Sequence, residues 1–127
     1  MRRVVWIWGP ALTQMGLIFG ASAIPNLTRL PGDLSDHSGH FVGYAMLGVA
    51  MLRACAGAEW NGLTARAASQ AWVLSVLYAA SDEFHQRFVE GRTPAVDDWV
   101  ADALGAAAAI IAVSVAAAGR RLERPDV

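Results

Sequence analysis

Four apolar runs alternate with short polar knots along the chain. Val4 to Ala23 holds twenty residues without a charge, behind Met1-Arg2-Arg3. A helix rising 1.5 Å per residue needs about 20 residues to cross a hydrocarbon core about 30 Å thick. Pro10 falls in the first turns of this helix and is expected to kink it, which is tolerable in lipid where a neighbour satisfies the freed carbonyl. Ile24 to Ser35, with Pro25, Asn26, Pro31, Gly32 and Asp33, has the composition of a turn-rich connection. The second run goes from His40 to about Ala58 and is interrupted by Arg53. A polar linker, Gly57 to Arg66, precedes a third run, Ala67 to Ser81, which is short for a span unless the helix continues into Asp82–Val89. Gly91 to Pro94 breaks it. Thr93 and Pro94 suit the cap and first position of a fourth helix, with Asp97 and Asp98 near its positive end. The pattern predicts helices over 4–23, 38–57, 67–89 and 95–118: an all-α, four-helix bundle in one domain covering 1–127. Basic Arg2-Arg3, the apolar stretch and Ala21-Ser22-Ala23 also fit a cleavable secretory signal; a retained helix suits the length of the stretch better.

Composition moves that bundle into a membrane. Apolar residues make up 55% of the 127, charged residues 17%, and the mean hydropathy is +0.36. Soluble domains average roughly 45–50% and 25%. A net charge of −1, with basic residues that are all arginine and scattered, excludes a nucleic-acid partner. A single cysteine, Cys55, rules out an internal disulfide and a cysteine-based zinc site.

With four spans, Arg2, Arg3, Arg53, Arg66, Arg120, Arg121 and Arg124 share one side, against Arg29, Arg87 and Arg92 on the other. The excess of arginine marks the cytoplasmic side, so both termini are expected there, in a multi-pass cell (inner) membrane protein. Asp33, Asp36, Asp82, Glu83, Glu90, Asp97, Asp98 and Asp102 then fall on the extracytoplasmic side. Small residues at Gly16/Gly20, Gly39/Gly43 and Gly105/Ala109/Ala112 are expected to let helices approach closely.

Helical spacing aligns the polar knots. Asp36, His40 and Tyr44 drift along one face of the second helix. Tyr78, Asp82 and His85 share a face of the third, flanked by Glu83 and Gln86. Asp98, Asp102 and Gly105 line the fourth. Ionisable groups at membrane depth turn toward partners or water, so one shared cluster is expected near the outer end. Its residue types can ligate a divalent metal, with His40, Glu83, His85 and Asp98 as candidates. They can also act as an acid–base pair, and Arg87 or Arg92 can hold an anion. Mutual satisfaction of these groups at the interface, with no ligand, is the plainer alternative. No spacing matches a zincin, nucleophile-elbow or phosphate-loop motif.

At these residues the chain resembles the VanZ-like family. Asp36-His37-Ser38-Gly39-His40-Phe41-Val42-Gly43-Tyr44-Ala45-Met46-Leu47-Gly48 is similar to its D-x-x-x-H-F-x-x-Y-x-x-L-G pattern. Ser81 to Pro94 is similar to its D-E-x-x-Q-x-F-x-P-G-R pattern, and Asp98 and Gly105 fit D-x-x-x-N-x-x-G. Glu90 stands where the family usually has proline, and Asp102 where it usually has asparagine. The resemblance spans roughly Ile18 to Ala112. It implies a small polytopic membrane protein, in a family named for low-level resistance to the glycopeptide teicoplanin. The expected function is binding of an envelope ligand (a lipid head group, a lipid-linked or cell-wall precursor, or the glycopeptide) at Asp36, His40, Tyr44, Asp82, Glu83, His85, Gln86, Arg92, Asp98 and Asp102. This would serve resistance or envelope homeostasis. The alternatives are an intramembrane hydrolase or transferase using a divalent metal, and an accessory membrane subunit.

Overall fold

Helices α1 (Arg2–Ser22), α2 (Asp36–Cys55), α3 (Ala65–Gln86) and α4 (Val96–Leu122) follow one another in a computed structural model, with no strand among the described residues. Residues 1–25 and 36–122 are described, apart from the side chains of Asp36 and Leu122. Most of the expected connection from Ile24 to Ser35, and with it Arg29 and Asp33, lies outside them, as does Arg124.

Each helix end has a local cause. α2 stops in two left-handed residues, Gly57 (φ +67°) and Ala58 (φ +66°). The N–H of Ala58 donates to Arg53 O (2.8 Å) and that of Gly57 to Ala54 O (3.0 Å), the crossed pair of bonds that closes a helix C-terminus. A short 3-10 turn, Trp60–Gly62, leads to Thr64, whose hydroxyl accepts the N–H of Ala67 and starts α3 two residues earlier than expected. α3 ends at Gln86, short of the expected Val89. Beyond it the N–H groups of Arg87, Phe88 and Val89 bond three residues back rather than four, and Gly91 turns the chain at φ +74°. α4 begins at Val96, so Thr93 and Pro94 do not start it; it also runs four residues past the expected end at 118.

α1 passes through Pro10 as one continuous helix. The ring removes the N–H that would bond Trp6 O. Arg53 of α2 fills that role, donating to Trp6 O (2.8 Å) and Ile7 O (3.1 Å) with its guanidinium 5.0 Å from the Trp6 ring. Arg53 therefore ties two helices together rather than reaching outward alone.

α2 and α4 pack backbone to backbone. A Cβ built on Gly48 would come within 2.9 Å of Ala106 Cα and O. One built on Gly105 would collide with the Phe41 carbonyl, 2.9 Å from its carbon and nearer still to its oxygen. Gly105 is thus a close-approach residue, as expected, and Gly48 is its unforeseen counterpart. A Cβ on Gly16 or Gly20 would meet nothing within 4 Å among the described residues, so the pair makes no close helix contact there. α3 lays a small-residue stripe, Ala67, Ala71, Ser75 and Ala79, into the same core. α1 lies outermost, with only Ala11 and Ser22 buried.

Around a core that includes Leu47, Met51, Leu52 and Ile110, burial does not simply sort apolar from polar. Leu77, Ile111 and Val115 are 62–66% exposed, whereas Asp102, Gln86 and Asp82 are 0–2% exposed. In water, large apolar side chains go inside and carboxylates stay out. α1 and α4 are long and apolar enough to cross a membrane; α2 and α3 match the thickness by length, but their polar ends lower their apolarity.

Candidate functional site

The helices alternate in direction. One end of the bundle therefore collects the end of α1, the start of α2, the end of α3 and the start of α4. On α2, His37 and His40 stand three residues apart; on α4, Asp98 and Asp102 stand four apart. α2 and α4 run in the same direction, and their parallel packing matches these residues in pairs. His37 Nδ1 pairs with Asp98 Oδ1, and His40 Nδ1 lies 2.9 Å from Asp102 Oδ1. α3 adds Asp82, Glu83 and Gln86, all facing inward.

Glu83 is fixed on both oxygens. Gln86 Nε2 donates to Oε1 (3.3 Å), and the N–H of Ala95, just before α4, donates to Oε2 (3.0 Å). A side chain of α3 thus anchors the start of α4, where the sequence suggested Thr93. Asp82 accepts the hydroxyl of Ser22 on Oδ2 at 2.7 Å, which brings α1 into the cluster. Tyr78 and Gln14 strengthen the same joint, donating to Met15 O (2.7 Å) and Gly43 O (3.1 Å).

Three groups converge further. One ligand-capable atom each from His40, Glu83 and Asp98 lie within 4.8 Å of one another. Next to them a cavity of about 200 Å³ is lined by Gln14, Ser22, His40, Tyr44, Asp82 and Arg92, among others. Tyr44 Oη, Asp82 Oδ1 and Asp102 Oδ2 are buried and make no hydrogen bond among the described residues. Buried polar atoms are rarely left so.

Of the ten residues singled out from sequence, His40, Tyr44, Asp82, Glu83, Gln86, Asp98 and Asp102 are buried at this end, and Arg92, half-buried, lines the cavity. Asp36 opens α2, but its side chain is outside the described residues. His85 goes elsewhere, with its ring stacked on Phe19 of α1 (4.3 Å between centroids), and it is not one of the three converging ligands. Arg87 sits over the Phe84 ring at the surface. Two participants were not foreseen. His37 carried a readable signal, one turn before His40 as Asp98 is one turn before Asp102. Ser22 carried none.

The described residues thus form an all-α bundle with apolar side chains on its outer faces and a buried carboxylate–histidine cluster at one end. The chain belongs to the VanZ-like family: the VanZ/LLP1 family model matches residues 14–117. Among curated proteins and among solved structures, none matches it.

Proposed function

We propose that the chain is a four-span protein of the cell membrane with both termini in the cytoplasm. In this reading it binds a polar head group of an envelope lipid or lipid-linked cell-wall precursor at its extracytoplasmic cluster. The observation that carries the reading is the cavity lined by Ser22, His40, Tyr44, Asp82 and Arg92, where the buried Tyr44 Oη and Asp82 Oδ1 make no hydrogen bond among the described residues. Leaving a buried polar group unpaired costs about 1–3 kcal/mol, so a ligand with donors and acceptors gains affinity there. The size of the cavity favours a head group over a whole glycopeptide. Helix lengths of 20–27 residues are compatible with four spans, and Arg2, Arg3, Arg53, Arg66, Arg120 and Arg121 at the opposite end support the orientation. A role in teicoplanin resistance or envelope homeostasis would then be exerted through the bound lipid.

Native mass spectrometry of the protein extracted from membranes tests this. Wild type should retain a stoichiometric lipid that Arg92→Gln and Tyr44→Phe release. Lipid retained equally by all three, or by none, would contradict the reading.

A further inference from the structure

We propose that His40, Glu83 and Asp98 form a binding site for one divalent transition-metal cation such as Zn²⁺ or Mn²⁺, with Asp102 as the positioning residue for His40. This goes beyond head-group binding and stands independently of it.

The donor set is the first argument. One imidazole and two carboxylates suit a borderline first-row ion, and three protein ligands with an open position is a common arrangement for zinc. Ligands at about 2.1 Å from a tetrahedral ion sit about 3.4 Å apart. Atoms already within 4.8 Å therefore need to close by at most about 1.4 Å, within reach of small side-chain torsions.

The surroundings are the second argument. Histidine ligands ordinarily give their other ring nitrogen to a carboxylate, which fixes tautomer and orientation. Asp102 Oδ1, 2.9 Å from His40 Nδ1, has that relation and assigns Nε2 to the ion. Glu83 is likewise held by Gln86 and by Ala95 N–H. A ligand set with both outer partners already in place is more than crowded acids.

The third argument is charge and unsatisfied polarity. Asp82, Glu83, Asp98 and Asp102 are each at most 9% exposed. Buried carboxylates need compensating positive charge. Among the described residues, the basic side chains of this end are His37, His40, His85, Arg87 and Arg92; three are imidazoles, and Arg87 lies at the surface over the Phe84 ring. Asp82 Oδ1 and Tyr44 Oη, both buried and without a hydrogen bond among the described residues, line the cavity together with His40. They are placed to accept from, or donate to, water or a ligand oxygen on the open position of the ion.

The test uses full-length protein in detergent micelles, stripped with chelator and then titrated with ZnCl₂ or MnCl₂. Calorimetry and elemental analysis should give one ion per chain, with a rise in Tm. Co²⁺ loading should give the visible bands of a low-coordinate site. Glu83→Gln and Asp98→Asn should each weaken binding at least tenfold. Asp102→Ala should weaken it about 10- to 100-fold, and Asp102→Asn, which keeps an accepting oxygen, should recover most of that. The exposed neighbour change Asp97→Asn should do nothing. Absence of stoichiometric binding to wild type would overturn the proposal even if every variant failed to fold. So would folded Glu83→Gln and Asp98→Asn variants that bind as wild type does.

Discussion

Replacing Gly105 with alanine should separate α2 from α4 and open the cluster one turn away. The new Cβ would sit 2.9 Å from the carbonyl carbon of Phe41 and closer to its oxygen, where carbon contacts settle near 3.5 Å. The helices must part by about 0.6 Å to clear the carbon, and by more to clear the oxygen. His40 follows directly before Phe41, and Asp102 is three residues before Gly105. Their 2.9 Å bond would lengthen to about 3.5 Å or beyond, past the ordinary hydrogen-bond range. Overpacking costs about 1–3 kcal/mol and a lost charge-assisted bond about 1.5–3. The better helix propensity of alanine returns at most about 1. The net expectation is destabilisation by about 2–4 kcal/mol, or roughly 30- to 1,000-fold in the unfolding equilibrium. SDS-driven unfolding in mixed micelles, followed by helicity, measures it. Gly16→Ala and Gly20→Ala, with open space around each Cβ among the described residues, should be neutral or stabilise by up to about 1 kcal/mol through helix propensity. A Gly105→Ala protein as stable as these two would refute the backbone-to-backbone packing of α2 and α4.

Three further outcomes are expected. Arg53→Ala should cost about 1.5–3 kcal/mol in the same unfolding assay, but clearly less in a Pro10→Ala background, where an intrahelical N–H can reach Trp6 O; equal costs in both would separate Arg53 from the proline. Ser22→Ala should cost about 1–3 kcal/mol by leaving Asp82 Oδ2 without its donor, and a neutral effect would show that α1 is not tied into the cluster. In a host expressing matched membrane levels, wild type should raise teicoplanin tolerance and His40→Ala should not; no protection by wild type would detach this chain from the process for which its family is named.

Four helices were legible because the apolar runs are long and their polar interruptions fall at the ends. That the three polar knots share one end of the bundle was legible too, since alternating helices must bring alternate ends together. Residues whose importance depends on a neighbour were not. Arg53 looks like a charge near a helix end until Pro10 is seen to free Trp6 O opposite it. Gly48 and Gly105 matter because they face Ala106 and Phe41, whereas Gly16 and Gly20, with the more suggestive spacing, meet nothing within 4 Å among the described residues. His85 shares a knot with Asp82 and Glu83, but it lies about 100° around the helix from Gln86, and that rotation turns it toward Phe19 of α1. The end of α3 was overestimated because Arg87 to Val89 are not helix breakers; the chain tightens there ahead of Gly91.

The central claim is an extracytoplasmic polar cluster in a four-span bundle, and thiol accessibility tests it most directly. In a Cys55→Ser background, Glu90→Cys reports the turn beside the cluster and Glu59→Cys the connection at the opposite end; both positions are exposed. Intact cells treated with a membrane-impermeant maleimide should label Glu90→Cys at once, and Glu59→Cys only after permeabilisation. Labelling in the reverse order, or of both positions in intact cells, would contradict the account.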